Sequence, residues 1–227
     1  RGGNTMKEKM KKSLTFLLLF FVAALLFTAQ AQSTKGIRKV ESSATASGPR
    51  SALVIGNANY DTAPLRNPVN DARAMSGTLR ELGFSVELLV NASQKEMKKA
   101  IDRFGEQLRD GGIGLFYFSG HGVQVSGRNY LIPVKAVISA EEDVEYESID
   151  AGRVLAKMDA ARNGMNLVIL DACRNNPYAR SFRNAAQGLA TLNAPSGTFI
   201  AYATAPGSVA SDGTGRNGLY TGELVRH

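Results

Sequence analysis

Few residues in this chain could carry nucleophilic chemistry: one cysteine, Cys173, and two histidines, His121 and His227. Cys173 stands in "VILDACRNNP" (168–177), where an apolar run ends in a polar segment. His121 stands in "YFSGHG" (117–122), after another apolar run and between two glycines that let other backbone come close. A thiol is a weak nucleophile until a neighbour takes its proton. An imidazole within hydrogen-bond reach does so, giving a thiolate–imidazolium pair. The same imidazole can then hand its proton to a leaving amine. Acyl transfer further needs two donors for the oxyanion, and the backbone N–H groups of Gly122 and Cys173 stand beside the pair to supply them. His227 ends a stretch, "GLYTGELVRH" (218–227), that reads as a helix cut off in mid-course, so it is set aside and the chain reads as C-terminally truncated.

The residues alone leave other uses of the thiol open. A lone cysteine at a strand end is commonly a small core hydrophobe, and in an exported chain it can link two molecules. Metal binding is disfavoured, because one Cys and one usable His fall short of a ligand set without carboxylate help. The reactive reading gains from where the elements would place the pair. "ALVIG" (52–56), "FSVELLV" (84–90), "IGLFYFSG" (113–120), "NLVIL" (166–170) and "TFIAYAT" (198–204) read as strands. Asn67 and Pro68 open a helix to about Leu82, closed by Gly83. Ser93 and Glu96 form a capping box for a helix to about Arg109, and a third helix falls around 150–161. "VQVSGRNYLIP" (123–133) reads as a hairpin turning at Ser126–Gly127. The acidic run "EEDVEYE" (141–147) is most simply a solvated loop, which could also attract a basic substrate or calcium. No twelve-residue calcium-loop pattern accompanies it, so calcium dependence is left open.

Apolar strands alternating with amphipathic helices predict an α/β fold, a mostly parallel sheet flanked by helices on both faces. Working groups in such sheets collect at the carboxyl ends of the strands. His121 follows the third strand and Cys173 the fourth, so the two meet if those strands are neighbours.

Three segments are expected. Residues 1–31 have a lysine-rich start, a 14-residue apolar run (Leu14–Phe27) and "AQAQ", the pattern of a secretory signal peptide. The run is short for a membrane span, so the chain touches a membrane only through this leader, if it is retained. Export to the periplasm or outside the cell follows from its removal. Residues 32–50, rich in Ser, Thr and Gly, read as a disordered linker, and 51–227 as the folded domain. The net charge of +7 belongs to the first fifty residues, with nine Lys/Arg and two Asp/Glu. The remainder has eighteen of each and no field that would steer it to nucleic acid.

"YFSGHG" followed by "ILDACRNNP" resembles the caspase-like cysteine peptidases, particularly the bacterial metacaspase-related (orthocaspase) branch. The 52-residue separation of His121 and Cys173 agrees with the roughly 50 residues between the pair in caspases. "ALVIGNANY", "NPVNDARAM", "GRNYLIPV" and "IAYATAPGSVASDG" extend the resemblance over residues 50–227. It implies a caspase-hemoglobinase fold and hydrolysis of peptide or protein substrates without a required cofactor, with Cys173 as nucleophile and His121 as base and acid. It also implies a specificity. "DACRN" replaces the Gln-Ala-Cys-Arg-Gly type pentapeptide of animal caspases. Asp171 matches the acidic position two before the nucleophile in metacaspase-like members, and Asp212 in "VASDG" resembles their second pocket acid. Two carboxylates would hold Arg or Lys at the scissile position. Asp171 as a turn cap and Asp212 as a common loop residue are the plainer alternatives. Arg66, in the loop after the first strand, would favour acidic substrates if it faced the site. With an acidic pocket, Arg180 and Arg183 in the polar segment after the nucleophile become self-cleavage sites. The rival reading is a catalytically inactive caspase-like module that binds peptides or proteins.

Overall fold

The expected strands and helices form because apolar residues recur at the spacing of each element. A computed structural model describes residues 48–172, Tyr178, Phe182, 188–203 and 215–227. The expected leader and most of the linker therefore lie outside the described residues. Five parallel strands make the central sheet: β1 (Arg50–Gly56), β2 (Ser85–Val90), β3 (Ile113–Ser119), β7 (Met165–Asp171) and β8 (Thr198–Tyr202), in the spatial order β2-β1-β3-β7-β8. A second, antiparallel sheet contains β4 (Gly122–Val125), β5 (Arg128–Leu131) and the two-residue β6 (Ile149–Asp150). The helices are α1 (Pro68–Glu81), α2 (Gln94–Gln107), α3 (Asp143–Glu147), α4 (Ala151–Ala161) and α5 (Leu219–Leu224).

Strand alternation divides the apolar residues between two faces. Leu53, Ile55, Phe116, Phe118, Val168 and Leu170 pack against α2 and α4 through Met97, Ile101, Phe104, Val154 and Met158. Ala52, Val54, Leu115 and Tyr117 pack on the opposite side against Ala72, Met75 and Leu79 of α1, with Val225 beside them. Both sheet faces are thus covered, as the near-continuous apolar strands require.

Several local expectations are met in detail. Glu96 turns back to accept the Ser93 backbone N–H at 2.8 Å, the capping interaction read from the sequence. Gly83 takes φ +80° after α1, with its N–H on the Arg80 carbonyl. Asn67 stands at the N-cap position before Pro68, although its side chain does not cap the helix. The acidic run is a correction. It contains α3 rather than only a solvated loop, because the Asp143 carboxylate accepts the N–H groups of Ser139 and Ala140, both at 2.9 Å, and Val144 is fully buried. Those two hydrogen bonds hold the Asp143 carboxyl below its usual range.

The β4–β5 hairpin turns at Ser126 (φ +50°) and Gly127 (φ +77°), two positive values that match the right-handed twist of the strands. An added Cβ at Gly127 meets nothing within 4 Å, so only backbone conformation opposes a substitution there. Gly127→Ala is expected to cost about 1 kcal/mol, a fall of about 2–4 °C in melting temperature. An unchanged melt would show that the turn relaxes without cost.

Candidate active site

Strands β3 and β7 are hydrogen-bonded neighbours, and their register sets Ser119 opposite Asp171. His121 follows Ser119 by two residues, and Cys173 follows Asp171 by two. The Gly120 N–H reaches the Asp171 carbonyl at 3.4 Å, carrying the contact past the strand ends. Next to the histidine, Gly122 lies directly against Ala172. A Cβ placed on it would be 2.9 Å from the Ala172 carbonyl oxygen and 3.1 Å from the Ala172 Cβ. The residue after the imidazole therefore touches the residue before the thiol. Cys173 itself lies outside the described residues, as do Asp212, Arg180 and Arg183.

His121 is almost wholly buried. Its Nε2 is 2.7 Å from the carbonyl oxygen of Ala63, in the loop between β1 and α1. A carbonyl only accepts, so Nε2 carries the proton, and in the neutral ring Nδ1 is then the basic nitrogen. The Ile132 N–H donates to the His121 carbonyl at 3.0 Å. Hydrogen-bonded and non-hydrogen-bonded pairs alternate along an antiparallel ladder, so the next pair, Gly122 and Leu131, is of the second kind. The Gly122 N–H consequently points away from β5.

The loop that presents Ala63 is tied down by two asparagines to which the sequence reading assigned no role. Asn57, fully buried, donates its backbone N–H to Ser119 at 2.9 Å. Its side chain accepts the Ala92 N–H at 2.9 Å and donates to the Ile132 carbonyl at 3.2 Å. Asn91 accepts the N–H groups of Ala58 and Asn59 at 2.9 and 3.0 Å. The available signal was an asparagine placed just after a strand, at Asn57 after β1 and at Asn91 after β2. The Ala63 carbonyl had no signal at all, since every residue has one.

Asp171 is buried on the sheet face covered by α1 and α5, whereas Ala172 packs with the α2–α4 cluster on the other. Its Oδ2 accepts the Thr221 hydroxyl of α5 at 2.7 Å. The Thr221 oxygen is also 2.6 Å from the Tyr117 hydroxyl. With the Thr221 proton given to the carboxylate, Tyr117 must be the donor to Thr221. Burial pushes the Tyr117 hydroxyl well above its usual range and the carboxylates of Asp171 and Asp71 add to the shift, so it stays protonated. Burial, then Asp171, also raises Tyr220, which puts that phenol within the field of the same carboxylate. Arg66 is exposed. Among the described residues no group of three His, Cys, Asp or Glu side chains could hold a metal ion, and no helix is long and apolar enough to cross a membrane.

Comparison with known proteins agrees with this architecture. The caspase-domain family profile matches residues 49–227. Over 160 residues the chain is 31% identical to the human mucosa-associated lymphoid tissue lymphoma translocation protein 1, an alignment covering 70% of this chain and 19% of that protein. The mouse homolog is 30% identical over 160 residues, covering 70% and 18%. The chain thus spans about a fifth of the length of these curated relatives. Among solved structures it is similar to a Geobacter sulfurreducens protein, with TM-score 0.56 and 18% identity, over 78% of this chain and 81% of the other. It is also similar to the Drosophila initiator caspase Dronc, with TM-score 0.51 and 14% identity, over 78% and 61%. At such identities the two structures share the fold. The sheet with its helices, the length of the profile match and the curated relatives together establish that this chain belongs to the caspase-like peptidase family.

Proposed function

We propose that the chain is an exported cysteine endopeptidase that hydrolyses peptide bonds after Arg or Lys, with Cys173 as nucleophile and His121 as base and then acid. The observation that carries this reading is the contact of Gly122 with Ala172, next to the neighbouring ends of β3 and β7. In the reaction, His121 Nδ1 takes the Sγ proton and the thiolate attacks the scissile carbonyl. The N–H groups of Gly122 and Cys173 receive the oxyanion. The imidazolium then protonates the leaving amine. A water molecule, deprotonated by the same ring, hydrolyses the thioester and restores the thiol. These steps need no metal or cofactor.

The family supports protein substrates, and the preference for basic residues rests on Asp171 and Asp212. Asp171→Asn is expected to lower kcat/KM for an Arg or Lys peptide about tenfold, while iodoacetamide still alkylates Cys173 at the wild-type rate. Equal loss on every peptide would make Asp171 a structural residue. The full chain, offered fluorogenic peptides ending in Arg, Lys or Asp with and without calcium, tests the activity itself. No turnover, together with no labelling of Cys173 by an alkylating peptide analogue, would favour the inactive peptide-binding module. Self-cleavage at Arg180 or Arg183 predicts fragments in the wild type that Cys173→Ala lacks. Amino-terminal sequencing of the exported protein tests removal of residues 1–31 from the domain that follows the linker.

A further inference from the structure

We infer that Tyr60 is the positioning residue for the His121 imidazole, acting through its hydroxyl and its ring face. The inference rests on the proposed role of His121 only for its effect on catalysis; the placement stands on geometry.

Tyr60 is buried in the loop after β1, three residues before Ala63. Its hydroxyl accepts the His121 backbone N–H at 3.0 Å and donates to the Ile132 carbonyl at 3.0 Å. Ile132 in turn donates its N–H to the His121 carbonyl at 3.0 Å. Both backbone groups of His121 are therefore committed, one to the phenol and one to the residue the phenol also holds. The ring lies against the imidazole, with centroids 4.4 Å apart and planes at 49°. One loop thus holds the histidine by its backbone N–H, its ring face and, through Ala63, its Nε2.

Gly120 makes room for this arrangement. A Cβ there would lie 2.6 Å from the Tyr60 hydroxyl oxygen and 2.9 Å from the Phe118 ring. The glycine before the histidine thus admits a phenol, as the one after it admits Ala172. Phenylalanine at 60 would keep the ring contact and remove the oxygen, leaving a buried N–H and carbonyl without it. The imidazole would then lose a fixed base beneath it while its other contacts remained.

The test uses the full chain as wild type, Tyr60→Phe, Gly120→Ala and His121→Ala, with thermal melting to confirm folding. Nitrogen-15 spectra of the histidine rings are assigned by loss of signals in His121→Ala. The wild type is expected to show one neutral His121 tautomer protonated at Nε2, and Tyr60→Phe exchange between two. Because Cys173 is the only cysteine, iodoacetamide uptake at pH 6 reads its thiolate alone. Uptake is expected to fall about fivefold in Tyr60→Phe, and kcat about tenfold with KM within about twofold. Gly120→Ala, which displaces the hydroxyl without removing it, should move the ring signals in the same direction. Unchanged ring signals in both variants would overturn the inference. Wild-type uptake in His121→Ala would instead overturn the dyad, and the ring signals would still decide the role of Tyr60.

Discussion

Replacing either Cys173 or His121 by alanine is expected to lower kcat for peptide hydrolysis by about four orders of magnitude or more, and replacing both should cost little beyond either alone. In the proposed reaction the two side chains perform one step, transfer of a proton from sulfur to nitrogen, so neither would retain that function without the other. The size of the effect follows from the thiol's chemistry. An unassisted thiol is only a few per cent ionised near neutral pH, and without the imidazolium the leaving amine has no acid to protonate it. Steady-state turnover of a fluorogenic peptide by the three variants measures it. A His121→Ala enzyme that kept about a tenth of wild-type turnover would show that another group takes the proton. The placement of the histidine supports this expectation. His121 is buried, its Nε2 is engaged by Ala63, and its chain neighbour touches the residue bonded to Cys173.

The elements that place the histidine were legible in the sequence because each is long enough to show its period. β1, β3 and β7 are seven-residue strands whose apolar runs end at Gly56, Ser119 and Asp171, and α2 opens on a capping pair at Ser93 and Glu96. The hairpin was legible for a different reason, since Ser126–Gly127 supplies the two left-handed conformations that its turn requires. Adjacency of β3 and β7 was only conditional. Strand order depends on which helix packs on which face, and no local pattern records that choice.

What escaped the sequence was short or had no side-chain signature. β6 has two residues, paired with Tyr130 and Leu131, too few for any alternation to appear. α3 is five residues long and anchored by one buried valine, so its three acids hid the helix. Ala63 acts through its carbonyl, and Tyr60 through a hydroxyl that meets a backbone amide 61 residues away. Asp171 was read from the sequence as a substrate-pocket acid, or more plainly as a turn cap, at the end of the fourth strand. Its bond to Thr221 was hidden, because α5 lies 50 residues further along and only the fold brings it back.

Gly122→Ala is expected to lower kcat about a hundredfold while the chain still folds. The new methyl group would sit 2.9 Å from the Ala172 carbonyl oxygen, 3.1 Å from the Ala172 Cβ and 3.1 Å from a methyl of Leu189. Leu189 can turn aside, because it is the end of a flexible side chain. Ala172 cannot, since its carbonyl belongs to backbone leaving β7 and its methyl is fixed in the core. The two segments must therefore part by a few tenths of an ångström, at the contact between the residue after His121 and the residue before Cys173. The core strands do not depend on this contact, so the loss of stability should stay near 1–2 kcal/mol, as for modest overpacking. The distinguishing result is a large fall in kcat with little change in KM and a melting temperature lowered by no more than about 2–8 °C. Wild-type turnover in Gly122→Ala would mean that the approach of β4 to the end of β7 does not set the distance from imidazole to thiol.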